Sequence, residues 1–223
     1  MTFFKRNLLW ILISVVTVGI IVFAFVWEAT GRVELPQQSS YVPEIDNRSP
    51  VQKLIDELEW VSVDLIPINE YSRPGEKLRN INTIVIHNIG NPDTSAQQNR
   101  SWFSGLAETG ETYASSNFIV GLEGEIIQCV PVDEIAYASN QRNDDTLSIE
   151  VCHPDDTGQF NDVTYDSTVR LTAWLCRQFD IKATELLRHY DVSGKECPLY
   201  YVRNEEAWEQ FKYDVAAAMS EVF

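Results

Sequence analysis

The sequence predicts an α/β fold, a single mixed, mainly parallel β-sheet flanked by helices and preceded by an N-terminal transmembrane helix. Three observations predict it. "INTIVIHN" is a continuous apolar run of the kind found in a strand covered on both faces, as in parallel sheets. Helical spacing of apolar residues recurs on both sides of it, at Leu54, Ile55 and Leu58 and again at Val169, Leu171, Leu175 and Phe179. Residues 8–27, "LLWILISVVTVGIIVFAFVW", carry no charge.

About 20 apolar residues suffice for a helix to cross the hydrocarbon core, so 8–27 is read as a membrane anchor. A cleaved signal peptide would have a shorter apolar region, roughly 7 to 15 residues, and a small-x-small site. The run here ends in "AFVWEATG", without a convincing site. Lys5 and Arg6 precede the span and Glu28 follows it. The positive-inside bias then leaves residues 1–7 as a cytoplasmic tail and everything after residue 28 outside, in a single-pass arrangement at the cell membrane. Residues 28–50 are polar and interrupted by Pro36, Pro43 and Pro50, the composition of an extracellular linker, with a root-mean-square reach of roughly 25 Å. The folded domain is expected over 51–223.

The chain has 223 residues, enough for one ordinary domain plus extras. With 33 acidic against 17 basic residues its formal charge is −16, and two of the basic residues lie in the cytoplasmic tail. Nucleic acid and anionic lipid are recognised by basic patches, so neither is an expected partner. "NRS" at 47–49 and 99–101 matches a glycosylation acceptor, a pattern too short to weigh much.

Within the folded part, "VQKLIDELEWV" reads as a helix and "INTIVIHN" as a buried strand ending near His87. "SNFIVGLEGEIIQCV" reads as two strands joined by a turn at Glu123 and Gly124, and "TLSIEVC" as another short strand. "YDSTVRLTAWLCRQFD" is an amphipathic helix with Asp166 or Ser167 near its cap. "TELLRHY" is taken as one more strand, and "NEEAWEQFKYDVAAAMSEVF" as a closing helix opened by Asn204. Helices and strands mix without strict alternation, which favours one mixed domain.

The chemistry gathers on few residues. Alternation in "LSIEVC" sets Ser148, Glu150 and Cys152 on one face and Leu147, Ile149 and Val151 on the other, so a carboxylate stands mid-strand. "RHYDVSGKECP" holds His189 and Cys197 eight residues apart across a Ser-Gly turn, with Lys195 two before the cysteine. Zinc takes imidazole nitrogen and thiolate sulfur, and hydrolytic sites use three protein ligands with a fourth position open to water. His87, His189 and Cys197 would supply that set. Glu150 fits a general base and Lys195 a stabiliser of the developing oxyanion.

From about Val61 onward these pieces resemble the type 2 N-acetylmuramoyl-L-alanine amidases, the zinc amidase family shared with phage lytic amidases and peptidoglycan recognition proteins. "TIVIHN", "ASSNFIVGLEGEIIQCVP", "LSIEVCH" and "RHYDVSGKECP" carry the likeness in order and spacing. The resemblance implies a zinc amidase domain over 51–223 that cuts peptidoglycan between muramic acid and L-alanine, with the domain facing the cell wall. It implies His87, His189 and Cys197 as ligands, Glu150 as base and Lys195 as transition-state stabiliser. The chain departs from its relatives at Ser116 and Asn117, and at Tyr137 and Asn140, where ring side chains are common. Asn117, Tyr137, Asn140 and His153 are carried as substrate contacts, and Asp191 as a rival ligand. A non-catalytic muropeptide-binding module and a zinc amidohydrolase acting within the stem peptide are the competing readings. Cys129, Cys152 and Cys176 are expected to be buried and free.

Overall fold

The computed structural model describes residues 48–220 together with Thr17, Val18, Ile20 and Ile21. Apart from those four residues, the expected tail and membrane span lie outside the described residues, as does the linker up to Asn47. Among the described residues no helix is long and apolar enough to cross a membrane.

Among the described residues six strands form one sheet: β1 (Ser62–Val63), β2 (Thr83–Asn88), β3 (Phe118–Val120), β4 (Ile126–Gln128), β5 (Thr146–Val151) and β6 (Leu187–Arg188). Their order is β1-β4-β3-β5-β2-β6, and every neighbouring pair is parallel except the β3–β4 hairpin. The α-helices within residues 48–220 are α1 (Pro50–Asp56), α2 (Ala96–Thr109), α3 (Asp162–Phe179), α4 (His189–Ser193), α5 (Leu199–Arg203) and α6 (Glu205–Ala218).

Strand alternation divides the interior in two. Ile84, Ile86, Phe118, Leu147, Ile149 and Val151 pack on one side with Leu171 and Leu175 of α3, Phe211 and Val215 of α6, and Ile55 of α1. Ile119, Ile127, Cys129 and Cys152 pack on the other with Phe103 and Leu106 of α2. Burying each large apolar side chain is worth about 1.5–3 kcal/mol, so both layers hold the sheet firmly. All four cysteines are free and buried.

α1 is capped by Ser49, whose hydroxyl accepts from the Gln52 amide. It is also latched to β4. The carboxamides of Gln52 and Gln128 exchange two hydrogen bonds of 2.8 Å, and Gln52 Oε1 accepts a third from the Val132 N–H at 3.2 Å.

Several local expectations change. α3 starts at Asp162 with Asn161 as its cap, not at Asp166 or Ser167. Its first turns bury Thr164 and Thr168, whose hydroxyls bond the Gly121 and Thr164 carbonyls, so apolar periodicity begins too late to mark the start. The strand expected over "TELLRHY" shrinks to two residues. A 3₁₀ turn at Ala183–Glu185 precedes it, and the Asp191 carboxylate takes the Arg188 N–H at 2.8 Å, which starts α4 at His189. α2 is a helix that apolar periodicity does not reveal. A reciprocal capping box of Ser95 and Gln98 announces it, but its buried positions are sparse among amides and small residues. It contains Asn99, which is buried and donates to Thr94 Oγ1 and the Ser95 carbonyl, both at 2.9 Å, so this second "NRS" is no acceptor site.

Candidate metal centre and cleft

Register brings the chemistry together. β2 and β5 run parallel with His87 opposite Glu150, at the carboxyl ends of the strands where open α/β sheets bind ligands. β6 pairs with β2 through Val85–Leu187 and Ile86–Arg188, so the next residue, His189, arrives beside His87. The two rings lie 4.7 Å apart.

Cys197 returns to the same place by a tight turn. Gly194 ends α4 with φ of +80°, a left-handed conformation that favours glycine. The Tyr190 N–H then donates to the Cys197 carbonyl at 2.9 Å. Asn88 clamps the far side: its backbone N–H points at Cys197 Sγ at 3.3 Å, and its Oδ1 accepts from Leu199 N at 2.8 Å. His87, His189 and Cys197 thereby offer ligand atoms within 4.8 Å of one another, all buried.

These residues fit a soft divalent cation. Burial holds His87 well below its ordinary pKa, helped by His189 and Lys195, and burial with Lys195 holds His189 down to about 4. Both imidazoles are therefore neutral and carry lone pairs. His189 Nε2 donates to Asn140 Oδ1 at 2.6 Å, which leaves Nδ1 as the acceptor, and Nδ1 is buried without a hydrogen-bond partner. Ser139 Oγ stands 3.4 Å from His87 Nε2 in the equivalent supporting place. Burial, reinforced by Glu150, pushes the Cys197 thiol up to about 12, so a bound cation is what would ionise it.

Glu150 stands beside the three, with Oε1 3.9 Å from His87 Nδ1 and Oε2 buried without a partner. Burial raises its carboxyl to about 7 while Lys195 pulls the other way. A carboxylate tuned near neutrality can both take and return a proton at pH 7. Glu150, His189 and Lys195 open into a cleft of about 710 Å³.

Of the residues expected to touch substrate, Tyr137 and Asn140 line this cleft. Asn117 and His153 do not. Asn117 is fully buried: its Nδ2 donates to the Pro131 carbonyl at 3.1 Å and its Oδ1 accepts from Ser148 N at 2.9 Å, so it staples β3 to β5. His153 is buried with its ring nitrogens 2.7 and 2.8 Å from the Asp155 and Ile89 carbonyls, and it meets Asn88 Nδ2 at 3.2 Å. It braces the loop after β2 rather than facing the cleft. Asp191 is occupied by Arg188, which binds both its oxygens. Sequence reasoning missed Asn88, Ser139 and the α2 wall of the cleft. Adjacency to His87 was the one available signal for Asn88.

Two imidazoles, a thiol and a carboxylate at one cleft floor form a group that could hold a metal ion beside an acid–base residue, the outline of a hydrolase site. The particular family follows from comparison: residues 77–199 match the N-acetylmuramoyl-L-alanine amidase family, and the chain belongs to it. It is 31% identical over 176 residues to the N-acetylmuramoyl-L-alanine amidase BlyA of Bacillus subtilis (strain 168), covering 70% of this chain and 46% of that protein. It is 28% identical over 164 residues to the N-acetylmuramoyl-L-alanine amidase CwlL of Bacillus licheniformis, covering 68% and 45%. The chain thus spans less than half the length of these curated relatives. The fold is shared with PlyL (TM-score 0.61, 20% identity, 71% of this chain and 98% of that one) and with the catalytic domain of XlyA (0.58, 23%, 70% and 98%).

Proposed function

We propose that the chain is a zinc-dependent peptidoglycan amidase that hydrolyses the amide between N-acetylmuramic acid and L-alanine, held at the membrane by residues 8–27 with its domain facing the cell wall. The observation that supports the reading is the register pairing of His87 with Glu150, which sets a carboxylate beside three side chains that could hold a metal ion. Zinc on His87, His189 and Cys197 would supply Lewis acidity toward the scissile carbonyl and the attacking water.

The chain's own groups do the rest. Glu150 takes the proton of the attacking water and returns it to the departing alanine nitrogen, so no net proton is consumed by the site. Lys195, at the cleft, offers its ammonium to the negative charge that grows on the carbonyl oxygen. Asn140 fixes the tautomer of His189, and Asn88 fixes the position of Cys197.

The test is to incubate the full chain with disaccharide-peptide fragments and weigh the products. Sugar carrying a free lactyl carboxylate, together with stem peptide beginning in a free L-alanine amine, is expected. Shortened stem peptides would instead identify a peptidase, and binding without products a recognition module. For the anchor, protease added to intact protoplasts should release the domain; its protection would place the domain on the other side.

A further inference from the structure

The wall of the cleft away from the metal donors has a chemistry of its own. Trp102 on α2 is 47% exposed and Tyr113 is 53% exposed, and both line the cleft that holds Glu150 and His189. Two partly exposed aromatic rings in one cleft offer apolar faces that a ligand could cover.

Neither ring is loose. Trp102 packs against buried Phe103 with ring centres 5.5 Å apart. Tyr113 donates its hydroxyl to Glu70 at 2.8 Å, leans on Tyr71 at 5.2 Å and meets Tyr137 edge-on at 5.5 Å. Around them the cleft presents Asn91, Thr94, Gln98 and Thr112. The only carboxylate and the only ammonium among the lining residues are Glu150 and Lys195, at the metal end. The side chains lining this wall are mostly amides, hydroxyls and rings, with the Glu70 carboxylate bonded to the Tyr113 hydroxyl.

We propose that Trp102 and Tyr113 form a glycan subsite that holds N-acetylated pyranose rings of the sugar strand, so that the strand lies along α2 while the amide to be cut faces Glu150. The proposal rests on the amidase reading for its orientation. A pyranose offers a face of C–H bonds to an aromatic ring, while its hydroxyls and acetamido group take neutral hydrogen bonds from carboxamides and hydroxyls. A stem peptide beginning with alanine and carrying carboxylates matches such a wall poorly.

The test measures binding of the full chain to an N-acetylglucosamine tetrasaccharide by calorimetry, beside turnover of disaccharide-peptide. Trp102→Ala should weaken tetrasaccharide binding about tenfold, in line with the loss of one aromatic contact, and Trp102→Phe should recover most of it. KM for disaccharide-peptide should rise by a similar factor with kcat unchanged, and binding of free stem peptide should not move. Equal tetrasaccharide affinity in wild type and Trp102→Ala overturns the subsite. If that happens while wild type still releases stem peptide, the subsite fails and the amidase reading stands. If Trp102 governs tetrasaccharide binding yet no amide is cut, the subsite stands and the amidase reading fails.

Discussion

The floor and the wall of the cleft are built by opposite means. At the floor, His87 and Glu150 are fixed by central parallel strands, and His189 by the strand pairing that ends just before it. At the wall, Trp102 stands on a surface helix and Tyr113 in an irregular segment, each exposed and steadied by one or a few ring contacts. Strand pairing places the backbone of His87 and Glu150, while the Asn88 clamp holds Cys197. The wall is placed side chain by side chain. Floor substitutions should therefore remove chemistry while leaving the fold, and wall substitutions should change affinity while leaving chemistry.

The hardest test of that contrast is the donor set. Alanine at His87, His189 or Cys197 should each abolish zinc retention, measured by elemental analysis, together with turnover, and lower thermal stability because metal binding is coupled to folding. Full zinc content in all three variants would end the ligand assignment. Next comes Glu150→Gln, which keeps shape and removes basicity. A loss in kcat of about 100- to 10,000-fold is expected, with zinc and KM little changed. Lys195→Ala should cost roughly 100-fold in kcat, and a pure KM effect would recast Lys195 as a binding residue. Asn140→Ala leaves all three donors but frees the His189 ring, so zinc affinity should fall about 10- to 100-fold by chelator competition.

Asn117→Ala sharpens the contrast from the other side. It leaves the buried Ser148 N–H without its acceptor, which should cost about 1–3 kcal/mol in denaturant unfolding. Its kcat should match wild type, since the side chain does not line the cleft.

The sequence shows the floor and hides the wall, for a physical reason. Strand alternation in "LSIEVC" and the run ending at His87 mark the two strands and the residues they carry, whereas the register that sets His87 opposite Glu150 comes from the sheet. His189 and Cys197 are legible through the turn at Gly194. α2 buries few apolar residues and spends its surface on amides, so periodicity gives it no signal, and with it goes the surface carrying Trp102. Asn117 and His153 mislead for a related reason. Their places in the sequence are close to those of cleft residues, but alternation and the packing of the β2 loop turn them inward. The residues 8–27 lie mainly outside the described part of the structure, and their role rests on hydropathy and flanking charge alone.

The latch between Gln52 and Gln128 has a mechanical meaning. Tension arriving through the chain ahead of Ser49 reaches the domain at α1, and the paired carboxamides pass it to β4. In the sheet β3 stands between β4 and β5. A pulling force received at β4 is thus separated by β3 from the β5–β2 pair that aligns Glu150 with His87. If residues 8–27 hold the chain as proposed, a pull from that side would enter at α1 and β4 rather than at the β5–β2 pair.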